Sequence, residues 1–101
     1  MGVSAKLSDA GDELTLFIEG RFDFSLHQAF RDAYQGFESI PETFTLDMSD
    51  ATYLDSSALG MLLILRDYAG GDQAAIQIVN CNEDVKKILT ISNFGQLFDI
   101  H

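Results

Sequence analysis

The sequence predicts an α/β fold in which a mixed, mostly parallel β-sheet with an antiparallel edge strand packs against helices. Segments whose apolar residues alternate with period two are followed by segments whose apolar residues recur every three or four positions. The resulting order is β-β-α-β-α-β-α-β, and strands that alternate with helices pair in parallel through right-handed crossovers. The 101 residues suit one core, and no repeat or linker interrupts them, so we expect a single domain over residues 1–101.

The opening strands are predicted from alternation and turn chemistry. Residues 3–8 alternate weakly, as an edge strand does, and residues 9–12 are typical of a turn. Residues 13–19 alternate strictly, so the two strands should form a hairpin, and Gly20 is expected to close the second strand.

The first helix begins near Ser25, where Asp23 or Ser25 can cap it. Its apolar residues recur at helical spacing on one face. They are Leu26, Ala29, Phe30, Ala33, Tyr34 and Phe37.

The second half of the chain repeats the strand-helix alternation. Strands are predicted at residues 44–48, 75–79 and 97–100. A helix is predicted over residues 57–68, ended by Gly70 and Gly71. A third helix follows Asn82 as its cap. Its expected buried stripe is Val85, Ile88, Leu89 and Ile91.

Two loops at the carboxyl ends of strands are the expected location of a site, residues 20–24 and residues 49–55. If the second and third strands are neighbours, Asp23 and Ser56 lie at the same edge of the sheet.

Composition narrows the classes of partner. Hydrophobic residues make up 47% of the chain and charged residues 22%, and 16 acidic against 6 basic side chains give a net charge of −10. Such a surface repels nucleic acid backbones and anionic lipids, so we predict neither nucleic acid binding nor membrane binding. Basic protein partners are favoured, although acidity is also common among soluble proteins in general.

The sequence is expected to belong to a cytoplasmic protein. Cys81 is its only cysteine, so it can form no internal disulfide, and it should pack as a small apolar residue. Residues 1–10 do not resemble a signal peptide, and the apolar run at residues 58–65 is too short to span a bilayer.

The segment YLDSSALG, residues 53–60, places hydroxyl groups at the start of a helix. Asp55 or Ser57 could simply cap that helix. A phosphate on Ser56 would instead meet the unpaired N–H groups and the positive dipole end of the first turn. Both interpretations fit the spacing.

The chain resembles the STAS-domain anti-sigma-factor antagonists. The similar segments are EGRFDF, FTLDMSDATYLDSSALG and ILTISNFGQLFDI, which together extend over almost the whole chain. The resemblance implies that Ser56, directly after Asp55, is the phosphorylation site, with Ser57 at the neighbouring Ser/Thr position. It also implies that Asp23 lies beside that site. Ala58 replaces the usual glycine, and the family's long C-terminal helix has no counterpart before His101.

The resemblance also implies a function and partners. The unphosphorylated form would bind an anti-sigma factor and free the sigma factor, and phosphorylation of Ser56 would block binding. A serine kinase, often the anti-sigma factor itself, and a serine phosphatase would set the state. The pattern FDF, HQAFR and YLDSSALGMLL is most similar to gamma-proteobacterial members. These act in flagellar sigma-factor control, hence motility and biofilm, and in some cases with a diguanylate cyclase.

The second predicted helix is apolar nearly all round and offers candidates for partner binding. At about 100° per residue, Leu62 and Leu65 share the core face. Gly60 and Ile64 then point elsewhere, with Met61 at the margin, and these three are the predicted partner contacts. Alternatively, they pack under neighbouring helices.

Other functions fit the sequence less well. A hydrolase using Ser56 or Ser57 would need His27 or His101 as its base, and the chain has no Gly-x-Ser-x-Gly elbow. We predict no enzyme activity, no catalytic residues, no cofactor and no metal site. The main alternative is a STAS domain without a phosphorylation switch, as a subunit of a lipid-transport ABC complex or a regulatory module of an anion transporter.

Overall fold

A computed structural model describes residues 2–101, and within them five strands form one sheet in the order β1-β2-β3-β4-β5. The strands are β1 Val3–Leu7, β2 Glu13–Phe22, β3 Thr43–Leu54, β4 Ala75–Val79 and β5 Asp99–Ile100. β1 runs antiparallel to β2, and all other neighbours are parallel. The predicted mixed sheet with an antiparallel edge strand is therefore confirmed.

Three α-helices connect the parallel strands: α1 His27–Gln35, α2 Ser56–Tyr68 and α3 Glu83–Ile91. Short 3-10 turns occupy Phe24–Leu26, Gly71–Gln73 and Phe94–Gln96. Because β2, β3, β4 and β5 are successive neighbours, right-handed crossovers place all three helices on the same face of the sheet. Burial agrees, since Leu14, Leu16 and Ile18 of β2 are buried and the residues between them are not.

Aromatic rings join β2 to the first two helices. Phe22 at the end of β2 packs on Phe30 with ring centroids 5.1 Å apart, Phe30 meets Tyr34 at 5.4 Å, and Tyr34 meets Tyr68 at 5.2 Å. The predicted face of α1 is confirmed for Phe30 and Tyr34, but Ala29 is exposed. This cluster holds the carboxyl end of β2 against α1 and α2.

β2 and β3 are longer than the sequence predicted. β2 continues through Gly20, which adopts φ +80, to Phe22. β3 continues past Met48 to Leu54, so the two expected loops at residues 20–24 and 49–55 are mostly strand. The pairing of the two strands continues past two register irregularities, at each of which β3 advances one residue more than β2. The first lies between Asp47 and Asp50, and the second lies between Ala51 and Tyr53. Such bulges insert extra residues and increase the local twist.

The first irregularity carries its own side-chain support. The Asp47 carboxylate accepts a hydrogen bond from the Ser49 backbone N–H at 2.9 Å. Partial burial by itself would raise the pKa of Asp47, but hydrogen bonds from Ser49 and Asn80 outweigh it and lower that pKa below its ordinary value. The pair of strands β2 and β3 bends at this point, and its carboxyl end carries the candidate site described below.

The end of the chain differs from the expected pattern in two places. Ile91 is 71% exposed, whereas Val85 and Leu89 are buried, because at 3.6 residues per turn Ile91 lies about 120° around α3 from Val85. The last strand begins at Asp99 instead of Leu97, since Leu97 and Phe98 both donate their N–H groups to the Phe94 carbonyl. In the described part of the chain, none of the helices combines the length and apolar character that crossing a membrane requires.

Candidate functional site

The carboxyl ends of β2 and β3 lie side by side. Phe22 and Leu54 are register partners, and the Asp55 N–H donates to the Phe22 carbonyl at 3.4 Å. Asp23 and Asp55 each follow one member of that pair. The prediction that Asp23 and Ser56 lie at the same edge of the sheet is confirmed by this register.

Asp55 is the cap of α2. Its carboxylate accepts a hydrogen bond from the Ala58 N–H at 3.0 Å, and its carbonyl accepts one from the Leu59 N–H at 3.2 Å. Of the two capping residues left open by the sequence, the structure selects Asp55. The helix consequently begins at Ser56, one residue earlier than predicted.

Ser56 is exposed and Ser57 is half-buried. Among residues 2–101, no hydrogen bond joins either hydroxyl to another residue, while Asp55 supplies the cap. An α-helix leaves the N–H groups of its first turn without intrahelical acceptors. The Ser56 hydroxyl is thus a solvent-facing group beside free backbone donors, with no structural task of its own.

Asp23 organises the neighbouring turn. One of its carboxylate oxygens accepts hydrogen bonds from the Ser25 backbone N–H, at 3.0 Å, and from the Ser25 hydroxyl. These bonds, followed by the nearby Arg21 charge, lower the pKa of Asp23. Asp23 therefore caps the 3-10 turn Phe24–Leu26 instead of α1 itself, and Ser25 is a donor to that cap. We call the end of β3 and the start of α2, residues 53–57, the serine corner. Asp23, beside this corner, is an anionic carboxylate at neutral pH.

Arg21 and Tyr53 complete the corner, and the sequence interpretation missed both. They are register partners on β2 and β3, and the guanidinium carbon lies 4.7 Å from the centre of the Tyr53 ring. Arg21 Nε is also 3.7 Å from the second carboxylate oxygen of Asp23. The available signal was the i, i+2 spacing of Arg21, near the end of β2, and Asp23, directly after it, but the strand was expected to end at Gly20.

An apolar surface adjoins the corner. Phe24 is 67% exposed and stacks on His27 with ring centroids 5.2 Å apart. On α2, Ile64 is 53% exposed and Leu63 is also exposed. Gly60 lies one turn beyond Ser56, and a Cβ added to it would meet no atom within 4 Å.

Met61 departs from its expected position. It is only 4% exposed, so it lies on the core side of α2 and not at the exposed margin. At 100° per residue it falls close to Leu65 and Ala58, which are both buried. Met61 and Ile64 line one wall of a shallow groove of about 180 Å³ between α1 and α2. The other wall consists of His27, Phe30, Arg31, Tyr34 and Gln35.

The two histidines and the cysteine each have other contacts. His101 pairs with Asp99 at 3.1 Å, and His27 stacks on Phe24. Cys81 is half-buried against the core, as predicted, and burial raises the pKa of its thiol. Within residues 2–101, no three His, Cys, Asp or Glu side chains cluster closely enough to hold a metal ion.

Two comparisons of the sequence with known proteins indicate the same family. A family model described as "Mlab, STAS domain" matches residues 5–99. A STAS-domain containing protein of Pseudomonas aeruginosa (strain UCBPP-PA14) is 57% identical over 100 residues, which cover 99% of each chain.

Solved structures show the same fold. A Thermotoga maritima protein, provisionally described as an anti-sigma factor antagonist, superposes with a TM-score of 0.80 at 20% identity, over 97% of this chain and 84% of that one. The phosphorylated Bacillus cell fate determinant SpoIIAA gives 0.66 at 14% identity, over 98% and 90%. A sulfate transporter family protein from Wolinella succinogenes gives 0.77 at 14%, over 94% and 79%.

STAS domains are generally regulatory domains without enzymatic activity. The match over residues 5–99, the 57% identical relative and the shared topology lead to one assignment. The chain belongs to the STAS-domain family, and its fold is that of the anti-sigma factor antagonists.

Proposed function

We propose that this protein is a phosphorylation-switched antagonist of an anti-sigma factor and that Ser56 is the phosphorylated residue. The observation that carries the proposal is that different residues cap α2 and expose a hydroxyl group at its start. Asp55 caps the helix, and this leaves the adjacent Ser56 hydroxyl exposed and free for modification. The solved structure of phosphorylated SpoIIAA, which has the same fold, supports this assignment.

The folded domain should tolerate the modification. A kinase would transfer a phosphoryl group from ATP to the Ser56 oxygen, adding a charge of about −1.5 to −2. That charge lies at the positive end of α2, where an anion is stabilised by about 0.3–1 kcal/mol. Asp23 and Asp55 oppose it only from a solvent-exposed corner. The fold should therefore survive phosphorylation.

An interface built around the neutral hydroxyl should not survive it. A partner that covers Ser56 would enclose an unmatched dianion next to two carboxylates, and such contacts cost several kcal/mol. A loss of about 4 kcal/mol is a factor of about 1,000 in affinity. The switch therefore acts on binding and leaves the fold intact.

The exposed side of α2 is the proposed contact surface. Ser56, Gly60, Leu63, Ile64 and Asp67 are its outward residues, and none of them is fully buried. Gly60 would allow a partner backbone to approach closely, since the space beside it is open. Met61 contributes only from beneath, through the groove that it shares with Ile64.

The proposed partners are an anti-sigma factor, a serine kinase and a serine phosphatase. Control of a flagellar sigma factor, and with it motility and biofilm formation, is the proposed output, with a diguanylate cyclase as a further target of the unphosphorylated form. The 57% identity to a STAS-domain containing protein of P. aeruginosa supports a bacterial origin for the protein and no more specific output.

Variants of the two serines test the switch. Ser56→Ala should fold and bind the anti-sigma factor regardless of kinase, while Ser56→Asp should fold and bind at least tenfold more weakly. Ser57→Ala is the matched control and should behave as wild type. The measurement is titration calorimetry against each anti-sigma factor of the source organism. Equal affinities for Ser56→Ala and Ser56→Asp would contradict the charge mechanism.

A second function is favoured by the description of the matching family model and by the sulfate transporter relative in fold. The domain would then serve as a transporter subunit or regulatory module without phosphorylation. Incubation with ATP and the serine kinases of the source organism, followed by mass spectrometry, separates the two functions. A single added phosphate that is absent from Ser56→Ala supports the switch, whereas no added phosphate with any kinase supports the transporter role.

A further inference from the structure

Arg21 occupies an unusual position beside the proposed phosphorylation site. It is the one Lys or Arg residue on β2, on β3 and in the turns that follow them, in a chain whose net charge is −10. Its register partner Tyr53 stands three residues before Ser56, and the next pair, Phe22 and Leu54, leads directly into Asp23 and Asp55. The lone cation and the serine hydroxyl therefore belong to the same end of the same two-stranded ribbon.

The contacts of Arg21 orient its guanidinium group but leave hydrogen-bond donors available. It lies over the Tyr53 ring at 4.7 Å, and its Nε is 3.7 Å from Asp23, longer than a hydrogen bond. Asp23 directs its other oxygen to Ser25. The charge and side chain of Arg21 are the smallest of the causes that lower the pKa of Asp23, and the Arg21 side chain is 64% exposed. Asp23 is contacted through Nε, so the four N–H groups at the tip of the guanidinium are positioned by stacking on Tyr53 and remain available.

We propose that Arg21 is the intramolecular counter-ion of phosphorylated Ser56, moving from its loose contact with Asp23 to a bidentate pair with the phosphate. This inference rests on the proposed function, because it requires a phosphate on Ser56. Guanidinium and phosphate match geometrically through two parallel N–H···O bonds, which are stronger than neutral hydrogen bonds. A phosphate dianion is also a better partner for Arg21 than a carboxylate already occupied by Ser25.

The pairing would add a second element to the switch. In the unphosphorylated protein, Arg21 is free to meet an acidic group of the partner. After phosphorylation, the same guanidinium would pair with the phosphate on Ser56. The surface that the partner meets would then present an anion and no longer offer the free cation. Asp23 contacts Arg21, and Asp55 follows β3 at the same end of the sheet, so these two carboxylates compete with the phosphate for Arg21.

The test uses protein in which phosphoserine is incorporated at position 56 during translation, so that no kinase is needed. A ³¹P NMR titration gives the second pKa of the phosphate, which is about 6 for free phosphoserine. The pairing lowers this pKa, and Arg21→Gln should raise it by about 0.5 units, the size expected of an exposed pair. Arg31→Gln removes the same charge from an exposed site on α1 and is the matched control.

Asp23→Asn and Arg21→Lys sharpen the result. Asp23→Asn removes the competing carboxylate and should lower the phosphate pKa, while Arg21→Lys keeps the charge but loses the fork and should give an intermediate value. Equal pKa values for Arg21→Gln and Arg31→Gln would overturn the proposal. Loss of this pairing would leave the switch itself standing. Conversely, a phosphoprotein that still binds the anti-sigma factor would refute the switch without touching the pairing.

Discussion

The two halves of β3 differ in almost every physical respect. From Thr43 to Asp47 the strand is paired on both sides, with β2 and with β4, and its inward residues are two apart. From Met48 to Leu54 it is paired with β2 alone, and its buried residues Met48, Ala51 and Leu54 are three apart. Both halves contribute buried residues to the core, but only the first half has a strand on each side, and the second half leads to Ser56 at the start of α2. The proposed phosphorylation site is therefore built on the less enclosed half.

The largest expected loss of stability comes from a substitution in the first half of β3, which has a strand on each side. Leu46 is fully buried between Leu16 and Ile78, so Leu46→Ala should lower the free energy of unfolding by about 2–5 kcal/mol. Tyr53→Ala, in the open half, should cost less than about 1 kcal/mol, since Tyr53 is exposed and packs mainly on Arg21. Urea denaturation followed by circular dichroism gives both values. Similar losses in the two variants would remove the contrast between the halves.

The same contrast explains what could be predicted from the sequence. Strict alternation at residues 13–19 and the short apolar segment at residues 44–48 predicted the central strands, and the helical spacing of Phe30 and Tyr34 predicted the face of α1. The end of β3 was missed because its bulges change the spacing of buried residues from two to three, which looks like the end of a strand. The end of β2 was missed because Gly20 was expected to close it. Ile91 was expected to be buried and Met61 to lie at the exposed margin, and both predictions were wrong. Each side chain lies at the edge of the apolar stripe of its helix, where spacing alone does not decide between the buried and the exposed face.

The site was predictable only in part for a related reason. The Asp55, Ser56 and Asp23 positions followed from the family resemblance and from parallel strand order. The choice of Asp55 as the cap, and the stacking of Arg21 on Tyr53, depend on register and side-chain direction at the bulged end of the ribbon. No periodicity in one sequence encodes those contacts.

A smaller effect is expected where the open half meets α2. Asp55→Ala removes the acceptor of the Ala58 N–H and should lower the free energy of unfolding by about 1 kcal/mol. Asp55→Asn keeps an acceptor oxygen and removes the charge, so it should retain most of the stability. Thermal and urea unfolding of the two variants measure the difference. If Asp55→Asn loses as much as Asp55→Ala, then the charge at the helix dipole stabilises α2 and the hydrogen bond does not.

The smallest expected effect on stability is also the one that best separates folding from binding. Gly60 lies inside α2, where glycine is less favourable than alanine, and a Cβ there would touch nothing within 4 Å. Gly60→Ala should therefore raise the free energy of unfolding by about 0.5–1 kcal/mol. If a partner backbone lies against Gly60, the same methyl group should weaken binding to the anti-sigma factor.

Gly95→Ala is the matched control for that variant, because it also adds a methyl group into open space, but in the turn before β5. Its affinity should equal that of wild type, measured in the same calorimetric titration. A Gly60→Ala protein that is more stable and binds less tightly would show that α2 retains this glycine for contact at the expense of helix stability. Unchanged affinity would place the interface elsewhere, and Phe24 on the opposite side of the corner would then be the next residue to vary.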